Sequence, residues 1–112
     1  MIELPWFPQA CRPNYRSRSH WPRTNAMKKT RQWGYAAALA AARPYIISER
    51  IELLLTFYPP STRAHDKDNL LAACKGYLDG IAQAWNVNDS AFDPRVQIGE
   101  PVKGGKIVVT LP

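Results

Sequence analysis

The sequence is poor in cysteine, and from Leu4 to Ser48 it contains no Asp or Glu at all. Its two cysteines, Cys11 and Cys74, lie too far apart for a zinc ribbon and are too few for a disulfide framework. A reduced, cytoplasmic compartment follows as an expectation. No apolar run approaches the ~18 residues that a membrane-spanning helix needs, so no membrane partner is expected. The opening Met1-Ile2-Glu3-Leu4-Pro5-Trp6 has no basic cluster, so no signal peptide is expected either. No pattern calls for an organic cofactor. At 112 residues, 46% hydrophobic and 21% charged, the composition is that of one small globular domain spanning residues 1–112.

What is present is cationic and unevenly spread. The acid-free stretch carries eight Lys/Arg, and the rest of the chain holds seven bases and nine acids. Charge kept only for solubility mixes both signs. A basic block joined to a mildly acidic remainder points to a polyanion. Nucleic acid suits it better than a membrane surface, because no strongly apolar face accompanies the bases.

In chain order, residues 2–7 read as a short strand that Pro5 confines to a sheet edge or strand start. Residues 8–23 hold three prolines and no periodicity, and read as a long loop. There Arg12, Arg16, Arg18 and Arg23 interleave with Tyr15, His20 and Trp21, a mixture suited to phosphate contact and base stacking, or to rings that simply pack on the domain. Residues 25–43 read as an alanine-rich helix capped by Thr24 or Asn25 and stopped by Pro44. On that reading Lys28, Lys29 and Arg31 fall in its first turns, where the helix dipole disfavours cations; either they meet a phosphate or they are solvated. Residues 50–58 form the strongest strand, apolar on both faces and so expected to be central. Residues 69–85 read as a second helix with Leu70, Cys74, Tyr77, Leu78, Ile81 and Trp85 as its apolar stripe. Residues 95–101 and 106–111 read as strands joined as a hairpin at Gly104-Gly105, with Val96, Ile98, Ile107, Val109 and Leu111 facing the core. The expected fold is α+β: a mixed sheet of about four strands with two helices, in the order β-α-β-α-β-β.

Chemistry concentrates at Ala64-His65-Asp66-Lys67-Asp68-Asn69-Leu70. In an extended backbone residues two apart point the same way, so Asp66 and Asp68 can aim at one point. A hard divalent cation such as Mg²⁺ relieves the repulsion of two such carboxylates. The competing reading is a helix cap at Asp68 or Asn69 with Asp66 in solvent. Lys75 lies seven residues past Asp68, nearly two helical turns, and can either lean back toward the carboxylates or pair with Asp79 at i,i+4. Asp89, in the turn-rich 86–90 loop, is either brought back to the pair or solvated.

Taken together, Leu4-Pro5-Trp6-Phe7-Pro8, Pro13-Asn14 before a basic segment, Asp66-Lys67-Asp68-Asn69-Leu70, Leu78-Asp79-Gly80, Asn88-Asp89 and Gly104-Gly105-Lys106 resemble the RusA family of Holliday junction resolvases, especially its phage-borne members. The resemblance covers nearly the whole chain. It implies a homodimeric, Mg²⁺-dependent endonuclease, Mn²⁺ substituting, that nicks four-way DNA junctions symmetrically in recombination and repair, in a bacterial or phage-infected cell. It implies a metal site of Asp66, Asp68 and Asp89. The family's functional lysine, four residues after the second aspartate, is replaced by Ala72, and Lys75 one turn on is the substitute. DNA contacts are expected from Arg12, Asn14, Arg16, Arg18, Arg23, Lys28, Lys29, Arg31 and Lys67. The alternative is a branched-DNA-binding module without catalysis.

Overall fold

The structure is a computed structural model and describes residues 1–41, 44 and 49–111. It is an α+β fold: β1 (Ile2–Pro5), α1 (Trp21–Ala40), β2 (Ile51–Tyr58), α2 (Lys67–Ala73), α3 (Lys75–Trp85), β3 (Phe92–Ile98) and β4 (Lys106–Thr110), with 3₁₀ turns at Gln9–Cys11 and Asp89–Ala91. The four-stranded sheet runs β1-β4-β2-β3. β2 is central, as its double apolar pattern predicts, and Pro5 sits on an edge strand. β4 pairs antiparallel with both β1 and β2, placing Leu55 opposite Val109 and Phe57 opposite Ile107. These side chains are 0–1% exposed and share one core cluster with Ala26 and Ala38 of α1 and Tyr77, Ile81 and Trp85 of α3. Among the described residues no helix is long and apolar enough to cross a membrane.

The expected hairpin does not form. β3 pairs parallel with β2, as a strand must when a helical connection returns it to its starting edge. β4 then joins the other side of β2. The connecting residues cross the end of β2, where Gly99 N–H donates to Phe57 O (2.8 Å) and Val102 N–H to Pro59 O (2.9 Å). Gly104 and Gly105 do make a turn, at φ +78° and +71°, a region open to glycine; the strands it joins are not partners. Ile98 and Leu111, expected in the core, are 38% and 41% exposed.

Helix α1 begins four residues before the predicted start. Pro22 occupies its first turn and His20 caps it without a side-chain bond; proline there lacks only an N–H that would be orphaned anyway. Lys28, Lys29 and Arg31 therefore lie beyond the first turn, and the dipole argument for them fails. Only Arg23 sits in that turn. The predicted end of this helix, at Arg43, lies outside the described residues.

The predicted second helix is two. Asp66 caps α2, and the chain kinks at Cys74 (φ −94°, ψ 6°) before α3. α3 crosses α1 closely enough that glycine is required: a Cβ on Gly80 would overlap the Arg31 carbonyl, and one on Gly76 the Thr30 hydroxyl. This crossing holds α1 against the cleft described next.

Candidate functional site

Asp66 is a helix cap, the role foreseen for Asp68 or Asn69. Its Oδ1 accepts from the backbone N–H of Asp68 (2.8 Å) and of Asn69 (3.3 Å), two donors that a helix start leaves without partners. Oδ2 is not engaged by any described residue. Asp68 and Lys67 follow in the first turn of α2, both exposed. Asp68 lies one turn above Leu71, and Leu71 lines a cleft with Lys75, Asp79, Asp89 and Phe92.

Three charged side chains meet in that cleft. Lys75 Nζ stands 3.8 Å from Asp79 Oδ1 and 3.8 Å from Asp89 Oδ2. Of the two alternatives for this lysine, the i,i+4 pair with Asp79 forms; its second partner is Asp89 rather than Asp66 or Asp68. Arg31 of α1 lines an adjoining hollow that shares Lys75, Asp79 and Asp89 with the cleft. Burial and a hydrogen bond with Asp89 push the Asp79 carboxyl above its ordinary pKa; Lys75 and Arg31 pull it back, and the Asp89 charge adds to the rise. The sequence presents Asp79 as the i,i+4 partner of Lys75 and as part of Leu78-Asp79-Gly80 but not as a site residue; its spacing, on the helix face that carries Lys75, is the signal that places it here.

The predicted triad is not assembled. Among the described residues no three His, Cys, Asp or Glu side chains converge as a metal site. Asp66 is turned onto the α2 backbone and Asp89 onto Lys75. The donor chemistry nevertheless suits a hard cation: all the groups are carboxylates, Asp68 and Asp66 Oδ2 are free of described partners, and the crowding of Asp79 with Asp89 is negative charge that a cation relieves.

The predicted DNA-contact residues divide. Arg16 and Arg18 are exposed on the loop before α1, and Lys28 is exposed on α1. Lys29 lies over the Trp33 ring at 4.9 Å. Arg23 is already occupied: its guanidinium donates to the carbonyls of Arg12 (2.6 Å), Tyr15 (3.2 Å), Pro13 (3.3 Å) and Ala10 (3.4 Å). It holds the loop in shape, a structural role that its expected DNA contact did not include. Arg12 and Asn14 line a separate cavity against Asp66 and Asn69.

No family model matches the chain. An uncharacterized protein of Xylella fastidiosa is 35% identical over 117 aligned positions, which span 98% of this chain and 74% of that protein.

Proposed function

We propose that this chain, which belongs to one family with the uncharacterized protein of Xylella fastidiosa, is a Mg²⁺-dependent, structure-selective DNA endonuclease of the RusA kind, acting as a homodimer on four-way junctions. The observation that carries the reading is the cleft in which Lys75 meets Asp79 and Asp89, with Leu71, one turn along α2 from Asp68, in its wall. An acid-free, basic N-terminal part supports a polyanionic substrate.

Asp66 through its Oδ2, Asp68 and Asp89 would hold the ion, and Mn²⁺ would be accepted by the same oxygen donors. When bound, Mg²⁺ supplies charge neutralisation at the phosphoryl group and a water of lowered pKa. The reaction is hydrolysis: water adds to phosphorus, the P–O bond to one sugar breaks, and the leaving oxygen takes a proton. Lys75 balances the negative charge that gathers on the phosphorane or the leaving oxygen. Arg31 and the exposed bases of the loop and α1 hold flanking phosphates in place. A two-fold dimer presents two equivalent sites to two equivalent strands.

A synthetic four-way junction incubated with and without Mg²⁺, with cut sites mapped on all four strands, tests the proposal. Paired nicks at symmetric positions, only with the metal, are the expected result. A shifted but uncut junction replaces the enzyme with the alternative, a non-catalytic branched-DNA-binding module.

A further inference from the structure

Asp79 has no part in the reaction as proposed, yet it touches two groups that do. Its Oδ1 stands 3.8 Å from Lys75 Nζ, and its carboxyl shares a hydrogen bond with Asp89. Lys75 Nζ stands at the same 3.8 Å from Asp89 Oδ2. A charge-assisted hydrogen bond closes to about 2.7–2.9 Å, so the ammonium is shared by two carboxylates and closed on neither. A carboxylate that faces an ammonium is not fully available to a metal ion, and Lys75 and the ion therefore compete for Asp89.

The two carboxylates are held differently. Asp79 lies on α3 next to Gly80, which packs so close to α1 that an added Cβ would meet the Arg31 carbonyl and the Tyr35 amide. Its backbone is fixed by that crossing. Arg31 lines the same hollow and also favours the charged form of Asp79, so this carboxylate already has two protein cations for neighbours. Asp89 opens the short 3₁₀ turn Asp89–Ala91, and its side chain is the more exposed of the two, 46% against 32%. A change of side-chain rotamer is enough to take it off Lys75. One partner of the lysine is thus anchored, and the other can leave.

We propose that Asp79 is a positioning residue that acts through Lys75: it takes over the ammonium when Asp89 turns to the ion, which frees the metal ligand and keeps Lys75 in the cleft. The inference rests on the endonuclease reading and adds to it a residue outside the metal-binding set.

Mn²⁺ binding, read from the paramagnetic resonance signal of the free ion, tests it in wild type, Lys75→Ala, Asp79→Asn and the double variant. Lys75→Ala removes the competitor and should tighten Mn²⁺ binding about two- to fivefold, the range of an exposed ion pair. Asp79→Asn leaves Lys75 with Asp89 alone and should weaken binding by a similar factor. That loss should shrink once Lys75 is also gone, because the two residues act as a coupled pair. An equal loss in both backgrounds makes Asp79 a direct partner of the ion and overturns the proposal. So does an Asp79→Asn variant with unchanged affinity, or a Lys75→Ala variant that binds no more tightly. Junction nicking at saturating metal gives a second reading: Asp79→Asn should lower kcat with KM unchanged, and should add nothing to the loss in Lys75→Ala. A protein that shows the binding shifts but never nicks a junction sinks the endonuclease reading and leaves the role of Asp79 standing. One that nicks, with a Mn²⁺ affinity indifferent to these substitutions, does the reverse. A wild type that binds no Mn²⁺ sinks both.

Discussion

At the scale of single residues, one aspartate is asked to do two jobs. Asp66 accepts from the Asp68 and Asn69 amides through one oxygen, and the proposed function gives the other to the metal. Asparagine caps a helix about as well as aspartate but carries no charge. Asp66→Asn should therefore keep its midpoint in urea while nicking is lost, whereas Asp66→Ala should lose activity and also about 1 kcal/mol of stability. Equal destabilisation by both substitutions would leave the charge without a role. Lys75 separates differently. Its side chain is 66% exposed, and an exposed pair adds little to stability, so Lys75→Ala should leave the melting temperature alone and slow nicking about a hundredfold. A full rate in that variant returns Lys75 to the surface pair with Asp79. The sequence showed which residue types carry chemistry and how far apart they lie. It did not show that Asp66 is the cap, because Asp66, Asp68 and Asn69 are all competent to cap and only the backbone path decides among them. Nor did it show Arg23 as the clamp of its own loop, since those four carbonyls are backbone atoms that no residue letter displays.

At the scale of elements, the strands with strict alternation were legible and their partnership was not. β2 reads as central because both of its faces are apolar, and it is central. β3 and β4 read as a hairpin because Gly104-Gly105 is a turn signal, yet a turn fixes local direction only. The α2–α3 return makes β3 the parallel neighbour of β2, which leaves β4 the opposite side. Gly80 illustrates the same limit with a decidable sign. Helix propensity alone says that Gly80→Ala gains about 1 kcal/mol. The α1–α3 crossing says otherwise, because the added Cβ meets the Arg31 carbonyl and the Tyr35 amide, backbone atoms that cannot swing away. Gly80→Ala should cost about 1–3 kcal/mol and lower the melting temperature by about 4–8 °C for each of them. A rise in melting temperature would mean that the two helices stand further apart than described. For the loop, Arg23→Ala should speed hydrogen exchange at the amides of Cys11, Arg12 and Tyr15, whose bonds to Pro8, Gln9 and Arg12 hold the loop's turns, with α1 amides unchanged.

At the scale of the whole molecule, the dominant feature is the separation of charge: a basic N-terminal part, and acids gathered in the later turns that form the cleft. Phosphate contacts release counterions, so each one contributes about −0.9 to the slope of log affinity against log salt on B-DNA. Arg16, Arg18, Lys28 and Lys29 are exposed, Lys29 with its Nζ over the Trp33 ring. Arg23 is spared because its removal would disturb the loop rather than only its charge. The variant with all four of the others replaced by alanine should bind a junction more weakly at low salt, with a slope shallower by about three to four if each touches a phosphate. Duplex binding should weaken in parallel, because phosphate contacts position DNA without reading it. Affinity for junction and for duplex, measured by fluorescence anisotropy across a salt series, checks both expectations. A slope that does not change would move the DNA surface away from the basic N-terminal part and leave its missing acids without an explanation.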